Sequence, residues 1–367
     1  MSLFFKFRTS IFIALFFCGS VLKSQQQKTI SAEAKYFYGT GIGSIKGVQS
    51  NYTQGFTLGI EKKLNPESAE WINFLNAEHL SLNFIYTDME GIQRDFTYGK
   101  SFGLISQIDF KLLGNDKFKL HLVPGIGVVY NTKTVFTNPE TFIFGSHINS
   151  TFSAEISVEC RIYKDWSVSS SVGLMHYSNG SVRIPNAGLN TFSVSFGIKK
   201  DFKIETSGKD SLAVSEIKLV KKNAFEFSAG AGVRGKYKEK SGFFKMGFYA
   251  GYSRYFNQTI GLRIGLDGVY YKDVYNPAVY EDTVPYWGKS WDHFRLGASF
   301  GPEIKMRNIA INAGFGRYLY FKSPYNQKFY WNSSIRYFIT PNFGIQGTLN
   351  AHKFQADFVN WGLFCRI

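Results

Sequence analysis

Apolar and polar residues alternate with a period of two along most of the chain. From 80 to 86 the even positions are Leu80, Leu82, Phe84 and Tyr86, with Ser81 and Asn83 between them. Between 152 and 162 one parity reads Phe152, Ala154, Ile156, Val158, Cys160, Ile162, and the other Ser153, Glu155, Ser157, Glu159, Arg161. Side chains two apart share a face of a strand, so such alternation predicts two-faced β-strands. The pattern places strands near 31–43, 52–62, 79–87, 100–112, 117–131, 151–162, 166–178 and 190–200. After a charged, apolar-poor stretch come further ones near 223–236, 243–256, 258–272, 292–303, 308–321, 328–338, 342–354 and 357–367.

In a soluble sandwich the apolar face is the core, whereas in an outer-membrane barrel it meets lipid and the polar face lines the lumen. Strands near ten residues suit a tilted membrane crossing, and Glu155, Glu159 and Arg161 on one face suit a small lumen held by ion pairs. The reading is therefore an all-β, antiparallel outer-membrane β-barrel, preferred to the sandwich. Eight strands in each half fit two small barrels or one sixteen-stranded barrel, and strand counting leaves both open. The last strand, ending Trp361 to Ile367, is similar to an outer-membrane assembly signal but closes on Ile rather than an aromatic residue. A weak internal likeness relates Arg161 to His176 with Arg336 to His352, which suggests duplication.

Composition agrees. Of 367 residues, 18% are aromatic and 36 are Gly, with 19% charged. A slightly negative mean hydropathy despite 37 Phe requires fine interleaving rather than long apolar runs. This excludes disorder and a disulfide scaffold. At the N-terminus, Lys6 and Arg8 precede an apolar run from Ile11 to Leu22, the layout of a secretory signal peptide over 1–24; Phe17 before Cys18 argues against a lipoprotein cysteine. The domain reading is thus a leader at 1–24, a barrel at 25–202, a linker at 203–222 and a second barrel-like region at 223–367. Beyond the leader, Cys160 and Cys365 say little about compartment. The net charge of +15 comes without any nucleic-acid motif, and anionic lipid explains it more simply. No zinc pattern, phosphate loop or nucleotide fold is visible, so no metal or cofactor is expected.

The chemistry concentrates between Leu174 and Asn190, where His176, Ser178 and Asn179 are followed by Pro185, Asn186 and Gly188. With Gly59 to Lys62 and Phe144 to Asn149, this stretch resembles the outer-membrane lipid A 3-O-deacylases, or acyloxyacyl hydrolases, over about residues 30–202. The resemblance implies an eight-stranded barrel that cleaves an ester-linked acyl chain from lipid A of lipopolysaccharide with a Ser, His, Glu triad. Ser178 then matches the nucleophile and His176 the base. Asn190 stands where the family has its acid.

Parity gives an independent check. On 166–178, His176 and Ser178 share the mostly apolar, membrane-facing side with Val172 and Leu174, and Asn190 shares the parity of Phe192 and Val194 across a hairpin. A nucleophile and base on the lipid-facing wall suit a bilayer substrate. With both barrel ends periplasmic, Ser178 lies at the extracellular end. Asn179, Gly180 and Asn186 are the expected oxyanion and substrate contacts, and Arg183 the expected phosphate contact. Ser146 and His147 are expected to be structural neighbours of this site. His352 shares its parity with Gly344, Gln346 and Asn350 and is expected to face a lumen without a nucleophile, leaving the second half non-catalytic. The rival readings are a barrel of the same ancestry with a structural or lipid-binding role, favoured by Asn190, and a wide passive channel.

Overall fold

The computed structural model describes residues 28–43, 51–90, 98–139, 142–204, 216–219, 221–280 and 286–367. The proposed leader, with Cys18, lies outside the described residues. The chain divides into two compact units, the first running to Asn179 and resuming at Asn186 through 214, the second made of Gly180–Pro185 and 215–367.

In the first unit, strands β1 (Lys28–Gly43), β2 (Asn51–Lys63), β3 (Ala77–Asp88), β4 (Lys100–Gly114), β5 (Phe118–Asn131), β6 (Ile148–Tyr163), β7 (Trp166–Ser178) and β8 (Leu189–Ile204) each pair antiparallel with the next. β8 then pairs back along the full length of β1, from Lys28 opposite Ile204 to Gly43 opposite Leu189. This is a closed barrel. The second unit repeats the plan with β9 (Asn223–Gly235), β10 (Gly242–Tyr255), β11 (Ile260–Tyr271), β12 (Phe294–Met306), β13 (Ile309–Tyr320), β14 (Phe329–Thr340), β15 (Phe343–His352) and β16 (Gln355–Arg366), and β16 closes on β9. Two eight-stranded barrels thus replace the open choice between two barrels and one of sixteen strands. Within the expected linker, Leu219 is buried against Tyr255, Ala310, Phe338 and Phe364 of the second unit.

Which face turns inward decides the class. Phe196 and Ile60 on the outer face of the first barrel are 65% and 64% exposed, while Glu226, Glu303 and Arg336 inside the second are 0% exposed. An exterior of Phe, Leu, Ile, Val and Tyr around a charged interior is inverted relative to a soluble sandwich, and fits hydrocarbon outside. With eight strands the interior is just wide enough for side chains to fill it.

At the end of the first barrel where β1 begins and β8 finishes, the connections are short. Asn115 turns the chain, its side chain accepting from the backbone of Lys117 and Phe118, and Lys164 takes a φ of 36° in the tight link to β7. The longer connection after β2 looks out of place there in the alternation pattern. It is compact in the structure: a single 3-10 turn at Pro66–Ser68 precedes a short helix α1 (Glu70–Phe74). The Asn65 side chain caps the turn, and Trp71 and Ile72 are buried. An alternation of period two carries no sign of so short a helix.

The lumen of the first barrel is layered. Towards the opposite end, Phe37, Ile85, Met89, Ile105, Val129, Phe144, Tyr177 and Leu189 form an apolar cluster, with the Tyr177 hydroxyl 3.0 Å from Thr87 Oγ1. Below it Gln107 donates to Glu155, and Ser169 to Glu33. Lys35 pairs with Glu33, Lys199 with Glu61 and Glu159, and Lys111 and Lys119 with Glu78. The expected luminal role of Glu155 and Glu159 holds. That of Arg161 does not: it lies near the end of β6 and is exposed, because the strand has run out of the lumen by that point.

In the second barrel Arg336 reaches Glu303 at 2.6 Å, while Arg263 and Arg366 reach Glu226 at 2.8 and 2.9 Å. His352 is buried, with Nε2 against the Tyr318 hydroxyl and Arg295, so it faces the lumen as expected. Cys160 and Cys365 are both free.

Removing one partner of a buried ion network leaves its counter-charges unpaired, which costs about 3–5 kcal/mol. Glu226→Ala, which abandons Arg263, Arg336 and Arg366 together, is expected to lower the urea midpoint of the second barrel sharply; an unchanged midpoint would show that the network carries no stability.

Candidate active site

The site sits where β7 ends and β8 begins. His176 and Asn190 are directly opposite each other in the ladder, so their side chains leave the same face, about 5 Å apart at Cβ. Parity makes that face the outer one: the intervening Tyr177 and neighbouring Leu189 point inward and are 1% and 0% exposed. The outer-wall pair is thus mounted on a backing of packed apolar side chains.

His176 Nδ1 lies 2.7 Å from Asn190 Oδ1. An amide oxygen only accepts, so Nδ1 carries the proton and Nε2 presents a lone pair. This is the tautomer a general base needs. Ser178, two residues along the same face of β7, takes a hydrogen bond of 2.9 Å from Asn186 Nδ2. The amide therefore uses a lone pair of Oγ and not its proton.

Behind the serine, the backbone N–H of Asn179 donates to Asn186 Oδ1 at 3.4 Å, and Asn179 Nδ2 donates to Ser146 Oγ at 2.9 Å. Ser146 in turn donates to the carbonyl of Ile148. His147 is held by the carbonyl of Asn131 through Nδ1 and stacks on Tyr130, its ring 5.1 Å away. Ser146 and His147 thus act as supports, as expected. Gly188 is the residue that parity overlooked. Its φ is +71°, and a Cβ built there would stand 2.8 Å from His176 Cε1. The close approach of backbone to imidazole explains the glycine of the motif.

The structure brings Ser178, His176, Asn190, Asn179 and Asn186 together in the first unit. Gly180 and Arg183 belong to the second unit. There Gly180 has a φ of +62°, and Arg183 Nη1 donates to the backbone carbonyls of Lys240 and Ser241.

Residues 54–199 match the family model described as lipid A 3-O-deacylase (PagL), and residues 223–367 match that of the acyloxyacyl hydrolase C-terminal domain. The N-terminal barrel belongs to the lipid A 3-O-deacylase family. Barrel and family together make this an outer-membrane protein. Among curated proteins none matches the chain. The solved structures it is similar to include the outer-membrane enzyme PagL, at 18% identity and a TM-score of 0.33, covering 45% of this chain and 98% of that one. Neisserial surface protein A is similar at 8% identity and a TM-score of 0.33, over 47% of this chain and 97% of its own. Ail of Yersinia pestis shares 12% identity at a TM-score of 0.30, over 48% and 100%. The family assignment rests on the sequence models and not on these loose structural likenesses.

Gly188→Ala is expected to push the imidazole off Asn190, removing the Nδ1–H hydrogen-bond signal from spectra of 15N-histidine-labelled protein. A displacement near 1 Å should slow labelling of Ser178 by a fluorophosphonate about 100-fold. Wild-type labelling in a heat-modifiable barrel would show that the glycine does not position His176.

Proposed function

We propose that the first barrel is a serine esterase that removes an ester-linked acyl chain from lipid A of lipopolysaccharide, working from its outer wall. The observation carrying this reading is the His176–Asn190 hydrogen bond beside Ser178 on the membrane-facing surface. A soluble substrate would have to enter the bilayer to reach it, whereas an acylated lipid is already there. With the barrel ends of this unit periplasmic, the site lies in the outer leaflet.

In the proposed reaction His176 Nε2 takes the Ser178 proton as Oγ attacks the ester carbonyl carbon. Negative charge moves to the carbonyl oxygen, where Asn186 Nδ2, held beside Ser178 Oγ, is the donor proposed to stabilise it. The tetrahedral species collapses, His176 returns the proton to the departing lipid hydroxyl, and the acyl chain remains on Ser178. Water, deprotonated by the same imidazole, attacks the acyl carbon; the bond to Ser178 Oγ breaks, Oγ takes the proton back from His176, and the fatty acid departs. The net positive charge of the chain would favour the lipid A phosphates.

Asn190 keeps the imidazole in the right tautomer but lends no charge to the imidazolium that forms. A charge-assisted hydrogen bond is worth roughly 1–1.5 kcal/mol more than a neutral one, or about tenfold in rate. Asn190→Glu is therefore expected to raise turnover about tenfold, and Asn190→Ala to lower it.

The deciding experiment is mass spectrometry of lipid A from cells expressing the protein. Wild type should lose one ester-linked acyl chain, and Ser178→Ala should lose none while remaining heat-modifiable. Unchanged lipid A with an intact wild-type barrel would overturn the enzyme in favour of a lipid-binding barrel, the reading that the uncharged Asn190 favours.

A further inference from the structure

At the opposite end of the first barrel from His176, the lumen holds a second cluster that the esterase does not use. Glu78 and His79 are consecutive residues near the start of β3. In a regular strand they would point to opposite faces. The ladder between β3 and β4 is interrupted between Ala77 and His79, and this irregularity lets both side chains serve the interior. Such bulges re-aim side chains. His79 is buried, and Glu78 Oε2 lies 3.0 Å from Nε2 of His121 on β5.

Ligand atoms of Glu78, His79 and His121 all lie within 4.8 Å of one another, close enough for small side-chain movements to bring them onto one ion. His79 Nδ1 is buried without a close hydrogen bond and faces Asp109 Oδ2 at 3.4 Å. Asp109 is its direct ladder partner on β4. A carboxylate on one imidazole nitrogen, leaving the other for an ion, is the usual support of a metal-bound histidine.

We propose that Glu78, His79 and His121 form a luminal site for a first-row divalent transition metal ion, zinc in the first instance, oriented by Asp109. Two imidazoles and one carboxylate select such an ion over Mg2+ or Ca2+, which prefer oxygen alone. The ion would tie β3 to β5 across the intervening strand, and its fourth position would hold water. Lys119 at 2.8 Å from Glu78 Oε2 and Lys111 at 3.5 Å from Oε1 hold the carboxylate in the structure, and the ion would displace one of them.

The test uses the full chain, refolded in detergent and stripped with chelator. Zinc added and then removed by desalting should leave one equivalent per chain by elemental analysis, and Co2+ should give the intense visible bands of a four-coordinate site. His79→Asn and His121→Asn should each weaken binding at least tenfold, with His352→Asn in the second barrel unchanged as a control. Absence of stoichiometric metal on the folded wild type, or retention in both heat-modifiable variants, would overturn the proposal. Should the variants not fold, the cobalt spectrum of the wild type decides: octahedral, weak bands would overturn it.

Discussion

Inside a bilayer no water is present to satisfy backbone N–H and C=O groups, so a strand can cross only as part of a ring in which every strand has two partners. That requirement governs the rest of this molecule. It demands that β1 meet β8 and β9 meet β16, and it forces one side-chain parity into hydrocarbon and the other into a narrow lumen. The period-two alternation is the direct imprint of that demand. Because an eight-stranded ring is too narrow to stay open, the inward parity must also pack, and these lumens pack with ion pairs, amides and serines. A wide passive channel is incompatible with such filling.

The same constraint gives the candidate site its unusual setting. Enzymes commonly hide their chemistry in a concave pocket, but here the lumen is full and the accessible face is the wall. Mounting His176, Ser178 and Asn190 outward places them against lipid, while Tyr177 and Leu189, one residue away, drive into the apolar cluster and hold the strand ends in place. The packed lumen thereby fixes their position, and the outward face turns them to the membrane. Asn190 holds His176 without a charge: its amide oxygen accepts from the imidazole Nδ1–H, and in the proposed reaction it would lend nothing to an imidazolium.

The two lumens also differ in the way they balance charge. In the second barrel guanidinium groups of Arg263, Arg336 and Arg366 gather around Glu226 and Glu303. In the first, lysines take that part: Lys35 pairs with Glu33, Lys199 with Glu61 and Glu159, and Lys111 and Lys119 with Glu78. The first barrel thus carries polar groups at two levels, one on its wall and one in its interior.

Much of this was legible from the residues alone. Alternation located all sixteen strands, since a period of two is a local property of each segment, and it separated outward His176 from inward His352 for the same reason. The motif from His176 to Asn190 identified the family and the candidate residues. What alternation does not carry is anything that depends on which strands meet. Whether β8 returns to β1 or continues to β9 is a long-range pairing, and the helix after β2 is too short to imprint a period. The irregularity that turns Glu78 and His79 to the same side, the exposure of Arg161 at a strand end, and the nearness of Gly188 to the imidazole follow from register between strands. Sequence by itself determined faces; only the closed ladder decided neighbours, because neighbours across a barrel are set by hydrogen bonds between segments far apart in the chain.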